Sequence, residues 1–177
     1  MTIPKPASQR GCIWVEDCIE ICTARSVFVE EQGIRSTFRN PKGRRIRKIH
    51  FDGCHMGAAS GRRADFIVGL WERIDIIVEL KGSDGNLTGS SGAYEQIEST
   101  LELWKIDECR YPRIAAVIIY GRITVKKKLP GRVPSASAER LALEARFLEK
   151  HKILLLIHEN GEKQFSFNDF LRKSDAR

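Results

Sequence analysis

The sequence predicts an α/β domain in which a mixed sheet is flanked by helices. This prediction rests on one alternating basic and apolar run, on three runs rich in β-branched residues, and on segments with apolar side chains at helical spacing. The predicted strands are residues 44–51, 64–69, 74–80 and 113–120, and the predicted helices are residues 13–32, 91–104 and 135–151. The chain has the length of one domain, so we expect residues 1–177 to form a single unit.

The first two predicted elements are a helix and a strand with one face in water. Between residues 13 and 32 apolar side chains recur at mixed helical spacing, and Gly33 stands where a helix cap is expected. Residues 44–51, RRIRKIHF, alternate basic and apolar side chains, which is the period of a half-buried strand. We therefore expect a cationic outer face on this strand.

The next two strands are predicted to pair as a hairpin. Residues 64–69 and 74–80 are rich in β-branched side chains, and only the segment LWER at the intended turn separates them. If the chain turns around Glu72, cross-strand neighbours follow from symmetry, and Asp65 lies opposite Glu79. The face of the hairpin that carries these two carboxylates is then apolar in its middle and charged at one end.

The rest of the chain predicts two helices, a buried strand and a final hairpin. Apolar side chains recur at helical spacing in residues 91–104, after a glycine-rich loop. Residues 113–120, RIAAVIIY, form a nearly continuous apolar run that indicates a strand covered on both faces. Residues 135–151 consist of good helix formers. Two short strand-like runs flank Asn160-Gly161, a pair favoured in tight hairpin turns.

The net charge of +7 is concentrated in one segment. Residues 35–63 carry nine Lys and Arg side chains against one acid, Asp52, which is a local charge of +8. Such a field suits a polyanion, and nucleic acid is the commonest one, although a solvated basic loop without a partner is the alternative. The residues predicted to bind nucleic acid are Arg35, Arg39, Lys42, Arg44, Arg45, Arg47, Lys48, Arg62, Arg63, Lys126, Lys127 and Lys128.

The cysteines and the N-terminal segment predict a cytoplasmic location. Five cysteines are an odd number in a chain with a real core, which favours reduced thiols, and Cys18 and Cys22 are spaced as on one helical face. A zinc site lacks the paired Cys-x-x-Cys spacing. The N-terminal residues have no apolar signal-peptide region, and no apolar run approaches the length of a membrane span. We therefore expect no membrane partner.

The predicted hairpin brings two carboxylates and an ammonium together. Asp65 and Glu79 would have Cβ atoms about 4.5 to 5.5 Å apart, and Lys81 shares their face. Carboxylates held this close repel unless a cation neutralises them, and hard oxygen ligands suit Mg²⁺ or Mn²⁺. We expect Asp65, Glu79 and the backbone carbonyl of Leu80 to bind the metal, and Lys81 to stabilise charge on a phosphodiester. The alternative is a structural ion cluster bridged by Lys81.

This arrangement resembles the PD-(D/E)XK nuclease superfamily, also called restriction endonuclease-like. The shared features are the order helix, β-meander, helix and strand, with Asp65 at the start of the second strand and Glu79-Leu80-Lys81 at the end of the third. The resemblance covers about residues 12–120 as an αβββαβ core, and about residues 121–177 remain as an extension with a helix and a β-hairpin. It implies Mg²⁺-dependent cleavage of nucleic acid, usually DNA, with two acidic ligands and a catalytic lysine.

The resemblance also implies further site residues. Many members use a glutamate of the first helix, for which Glu20, Glu30 and Glu31 are candidates and Glu31 is preferred. Some members place a glutamine on the helix after the motif, which here is Gln96. Ala64 stands where the family name has its proline.

The expected function is a divalent-metal-dependent nuclease, namely a DNA endonuclease in repair, recombination or defence. A non-catalytic nucleic-acid-binding or assembly module on the same fold remains an alternative. So does a nuclease subunit that is active only within a larger complex. Many short members of the superfamily are dimers, so the resemblance also allows a homodimer.

Overall fold

The described residues form β-strands and α-helices that follow one another along the chain. The structure is a computed structural model that describes residues 8–55, 62–82, 92–107, 113–121, 136–159 and 164–174. In chain order the elements are β1 (Cys12–Glu16), β2 (Ile19–Cys22), β3 (Ser26–Glu31), β4 (Ile34–Arg39), β5 (Ile46–His50), a π-helical turn (Phe51–His55), β6 (Phe66–Leu70), β7 (Ile74–Lys81), α1 (Ala93–Asp107), β8 (Ile114–Tyr120), α2 (Ala136–His151), β9 (Leu154–Glu159), β10 (Gln164–Ser166) and α3 (Phe167–Ser174).

A seven-stranded mixed sheet forms the centre, in the order β1-β2-β5-β6-β7-β8-β9. Neighbours are antiparallel from β1 to β7, whereas β7, β8 and β9 run parallel. A second sheet of three strands has the order β10-β4-β3. The α/β class and the mixed sheet flanked by helices are therefore confirmed.

Each face of the central sheet is covered by a separate apolar core. Helices α1 and α2 cover one face, where Tyr94, Trp104 and Phe147 pack on the sheet. The three-stranded sheet and α3 cover the other face with side chains such as Phe38 and Phe165. Because both faces are covered, β6, β7 and β8 are buried along nearly their whole length, as continuous apolar runs indicate.

The predicted hairpin of β6 and β7 has the expected register. Phe66 pairs with Val78, Ile67 with Ile77, and Gly69 with Asp75. The strands at 113–120 and the helices at 91–104 and 135–151 are also present, with ends that differ by a few residues. These elements all have strong local periodicity.

The predicted first helix at residues 13–32 is wrong. Three strands, β1, β2 and β3, occupy these residues instead, so the predicted αβββαβ core lacks its first helix. Gln32 and Gly33 have φ angles of 49° and 79°, and they join β3 to β4 as a two-residue turn. Two positive φ values are what a type I′ hairpin requires, so the glycine expected to cap a helix closes a hairpin.

The predicted C-terminal hairpin is also wrong. Strand β9 pairs in parallel with β8 in the central sheet, whereas β10 pairs in parallel with β4 in the second sheet. The Asn160-Gly161 turn lies outside the described residues. Leu155 and Ile157 pack against the helices while Phe165 enters the opposite core, so the two runs serve different layers.

The expected water-facing side of the basic strand is buried. In β5, Arg47 is 7% exposed and Lys48 is 5% exposed, and each makes an ion pair. Arg47 Nη2 lies 3.3 Å from Asp75 Oδ2, to which Trp104 Nε1 also donates at 3.0 Å. Lys48 Nζ lies 2.7 Å from Glu20 Oε1 on the other face. A buried cation needs a partner of opposite charge. The basic residues of this strand therefore serve two buried ion pairs and do not form a face in water.

Four cysteines form disulfides, which contradicts the prediction of reduced thiols for them. Cys12 is bonded to Cys22 and Cys18 to Cys54. Cys18 and Cys22 therefore do not share a helical face. Among the described residues, Cys12, Glu20 and Cys22 form the only cluster of three potential metal ligands. The two cysteine sulfurs are joined in a disulfide, so they are not thiolate ligands. The cytoplasmic location stays a prediction.

Within the described part of the chain, no helix is long and apolar enough to cross a membrane.

Acidification is expected to weaken the fold through Glu20. Burial raises the pKa of this carboxyl, but His50, Lys48 and Ser8 outweigh burial and lower the pKa from 4.5 to about 2. The stabilisation is therefore present above pH 4.5 and is lost as the pH falls towards 2. The shift corresponds to as much as about 3 kcal/mol. We expect Glu20→Gln to lower the free energy of unfolding at pH 7 and to flatten its pH dependence in this range, as measured by urea unfolding.

Glu16→Gln is the matched control, since Glu16 is an exposed carboxylate on the neighbouring strand. Equal acid sensitivity of the Glu20→Gln variant and the wild type would contradict this prediction.

Candidate functional site

The register of β6 and β7 places Asp65 beside Glu79. The last pair of the ladder is Phe66 with Val78, and Asp65 and Glu79 are the next residues on the two strands. The backbone N–H of Leu80 donates to Asp65 Oδ2 at 2.7 Å, which holds the aspartate against β7. Both carboxylates therefore lie at the end of the sheet where β7 ends.

Lys81 and Gln96 complete a connected group of side chains. Lys81 Nζ lies 2.7 Å from Glu79 Oε1, and it also donates to Gln96 Oε1. Gln96 is in the first turn of α1, and its Nε2 donates to the Arg63 carbonyl at 3.0 Å. The structure thus brings together four of the five side chains that the sequence predicted as catalytic or metal-binding.

Burial differs sharply among these groups. Glu79 is 0% exposed, whereas the Lys81 side chain is 20% exposed. Glu79 Oε2 has no hydrogen-bond partner among the described residues. The group is therefore a partly open site whose innermost carboxylate has an oxygen without a donor.

Two buried carboxylates with one ammonium have raised pKa values. Burial, followed by the charge of Asp65, raises the pKa of Glu79 to about 8, although Lys81 opposes the shift. Burial likewise raises the pKa of Asp65 to about 7, against the hydrogen bond from Leu80 and with the help of the Glu31 charge. At neutral pH these raised pKa values favour a proton on the pair, and a further cation would favour the ionised form of both groups.

Glu31 lies on a strand and acts on the site through its charge. It ends β3, it is exposed, and its negative charge acts on Asp65. The same hairpin contacts the end of the central sheet, because a Cβ at Gly121 would lie 3.2 Å from Ile34 Cδ1 and the Gly121 N–H donates to the Lys81 carbonyl at 2.7 Å. The expectation that this glutamate comes from a first helix is wrong, and its role at the site stays a prediction.

The other glutamates considered from the sequence lie elsewhere. Glu20 is bound to Lys48, to Ser8 at 2.9 Å and to His50 at 2.9 Å. Glu30 makes an exposed ion pair with Arg35 at 2.5 Å.

Two further side chains at the site had no role in the sequence prediction. Asp52 is the second residue of the π-helical turn after β5, and its charge raises the pKa of Asp65. Tyr120 ends β8 beside Lys81, and its buried hydroxyl has no hydrogen-bond partner among the described residues. Two features of the sequence could have identified them: Asp52 is the one acid of the basic segment, and Tyr120 ends an apolar strand.

The basic segment does not form one surface beside the site. Arg47 and Lys48 are buried in ion pairs, which removes them as phosphate contacts. Arg63 is buried at the site and Arg62 is exposed next to it. Arg35 pairs with Glu30, and Arg45 lies 4.0 Å from the centre of the Trp71 ring. Three other cations, Arg39, Lys42 and Arg44, line a cleft at the other end of the sheet. The predicted Lys126, Lys127 and Lys128 lie outside the described residues.

No protein-family model, curated protein or solved structure matches this chain. The functional argument therefore rests on the geometry and electrostatics of the site.

The raised pKa of Glu79 should cost the fold stability at neutral pH in the absence of metal. A carboxyl whose pKa rises from 4.5 to about 8 must take up a proton on folding at pH 7, whereas glutamine keeps the shape and needs no proton. We expect Glu79→Gln to increase the free energy of unfolding by about 1 to 3 kcal/mol in EDTA-containing buffer at pH 7. Thermal unfolding measures the change.

Glu102→Gln, at an exposed position of α1, is the control and should leave stability unchanged. A Glu79→Gln variant less stable than the wild type in EDTA would show that Lys81 already neutralises the pair.

Proposed function

We propose that the protein is a divalent-metal-dependent phosphodiesterase that cleaves nucleic acid, namely a DNA endonuclease. The observation that carries this proposal is the pairing of Asp65 with Glu79 at the end of a buried hairpin, with pKa values of about 7 and 8. Strongly perturbed carboxyl groups that share a partly open site are typical of catalytic centres.

The donor set fits a hard divalent cation. Asp65 and Glu79 offer carboxylate oxygens, and Glu79 Oε2 is buried without a donor. Mg²⁺ binds through one or two carboxylates, and Mn²⁺ accepts the same ligands. Asp65 and Glu79 would hold the ion, and the Leu80 carbonyl between Glu79 and Lys81 stays a proposed third ligand. When bound, the ion would supply Lewis-acid polarisation of a phosphodiester.

Lys81 supplies positive charge at the entrance of the site. Its ammonium contacts Glu79 and Gln96, while part of the side chain remains exposed. Glu79 and Gln96 restrict the lysine to one side of the site, so its N–H groups can donate to phosphate oxygens as negative charge develops there. Gln96 is then a positioning residue, since it acts through Lys81.

The strand and helix order supports the resemblance to PD-(D/E)XK nucleases in part. Strands β5, β6 and β7 form an antiparallel meander, α1 follows, and β8 returns parallel to β7. This order agrees with the βββαβ part of the expected core, whereas the expected first helix is absent from the described residues. Nucleic acid as substrate also agrees with the net charge of +7, because a polyanion is attracted to a positive protein.

One contact favours a second candidate function. The direct ion pair of Lys81 with Glu79 is also what a purely structural cluster would contain. In that case the protein is a non-catalytic nucleic-acid-binding or assembly module.

Loss of either key charge should abolish cleavage. We expect Glu79→Gln and Lys81→Ala each to lower the cleavage rate at least about 100-fold with Mg²⁺ or Mn²⁺, while nucleic-acid binding remains. The assay compares single-stranded, duplex and branched DNA and RNA, because the site itself does not select among them. Glu102→Gln should cleave like the wild type. Unchanged cleavage by both variants would refute the proposed active site.

Calorimetric titration with Mn²⁺ separates the remaining alternatives. Binding to the wild type that is lost in Asp65→Ala supports the metal site. No binding to the wild type favours the non-catalytic module. Metal binding without cleavage of any substrate indicates a subunit that requires its complex.

A further inference from the structure

A cationic cleft lies at the end of the central sheet away from the carboxylates. Its volume is about 210 Å³. Its lining includes Arg39, Asn40, Lys42, Arg44 and Arg73. Arg73 directly precedes β7, whereas Glu79 and Lys81 end it, so the cleft lies roughly 20 Å along the strand from the proposed active site.

Four basic residues from two parts of the chain line the cleft. Arg39 ends β4, Lys42 and Arg44 lie between β4 and β5, and Arg73 lies in the turn between β6 and β7. Among the described residues, no carboxylate lines the cleft, and none of the four cations makes an ion pair. Like charges in one concavity repel, and this repulsion is relieved when an anion binds between them.

Hydrogen bonds hold the backbone of the segment that carries three of these four cations, between β4 and β5. Asn40 is 3% exposed, and its side chain donates to the carbonyls of Ala24 at 2.9 Å and Arg44 at 2.7 Å. Its Oδ1 accepts from the Arg44 N–H at 2.9 Å. Gly43 has a φ of 57° and donates to the Asn40 carbonyl, which closes the turn. The backbone that carries Arg39, Lys42 and Arg44 is therefore ordered before any ligand arrives.

The start of α3 forms the opposite wall of the cleft through Ser166, Phe167 and Asn168. Asp169 accepts from the Ser166 N–H and caps this helix, but it does not line the cleft. Asn168 is exposed and adds an amide group to the wall. The wall thus offers polar groups without a negative charge.

We infer that this cleft binds a phosphate group, separately from the Asp65 and Glu79 site. Guanidinium groups match phosphate oxygens in pairs, and three of the four cations are arginines. The volume is small for a drug-sized ligand but sufficient for one phosphate group. A backbone phosphate of nucleic acid and a free phosphate or phosphate monoester share this chemistry. The inference stands on the cleft alone and does not require the proposed nuclease activity.

The test measures phosphate binding in variants that lose one cation each. Isothermal titration in EDTA uses inorganic phosphate in one arm and a single-stranded DNA oligonucleotide in the other. We expect Arg39→Gln and Arg73→Gln to weaken binding about tenfold each in at least one arm, since each removes a charge-assisted hydrogen bond. Lys42→Gln is a third variant, because the exposed Lys42 side chain does not support the fold.

Lys152→Asn is the matched control. Lys152 is exposed beyond α2 and has a φ of 58°, which asparagine accepts, so this variant removes one positive charge elsewhere without strain. Weakening of both phosphate and oligonucleotide indicates a site for any phosphate group, whereas weakening of the oligonucleotide alone indicates backbone phosphates.

Absence of binding in both arms would overturn the inference. So would equal affinities of the wild type and the three cleft variants, or equal weakening by Lys152→Asn. Repeating the titrations with Asp65→Ala keeps the two proposals apart, since phosphate binding in the cleft should survive that substitution even if cleavage is lost or never existed.

Discussion

The pairing of β6 with β7 is the constraint on which the candidate site depends. In the observed register, Asp65, Glu79 and Lys81 share the face covered by α1, and Gln96 meets Lys81 there. A shift of one residue would turn Glu79 towards the opposite core, because side chains alternate between the faces of a sheet. Such a shift is costly because Asp75, between Ile74 and Ile76, would also leave Arg47 and Trp104 and enter the opposite apolar core. The buried partners of β7 therefore position the charged residues at its end.

Three groups of buried charges lie on the central sheet, and their balance differs. Asp75 is matched by Arg47, and Glu20 is matched by Lys48, so burial there is compensated. The pKa of Glu20 accordingly falls to about 2, whereas that of Glu79 rises to about 8. The same fold thus shows what a structural ion pair looks like, and the site at Asp65 and Glu79 departs from it. This internal comparison favours a functional interpretation.

The positive charge that is continuous in the sequence is divided in space. Arg47 and Lys48 neutralise buried acids, Arg62 and Arg63 lie near the carboxylates, and Arg39 lines the cleft at the far end of β7. A nucleic acid bound at the carboxylates would therefore meet fewer cations than the charge count indicates. Part of the excess positive charge is instead assigned to the distant cleft, where we infer a separate phosphate site.

Local patterns in the sequence determined β5 to β8, α1, α2 and the hairpin that joins Asp65 to Glu79, because alternation and β-branched runs are properties of the segment itself. They failed at residues 13–32, where mixed spacing and Gly33 suit a helix or a hairpin equally. Only tertiary structure decided that Cys12 bonds Cys22, that β10 joins β4, and that Arg47 and Lys48 are buried. Each of these depends on partners distant in the chain, and sequence periodicity carries no information about which distant segments meet.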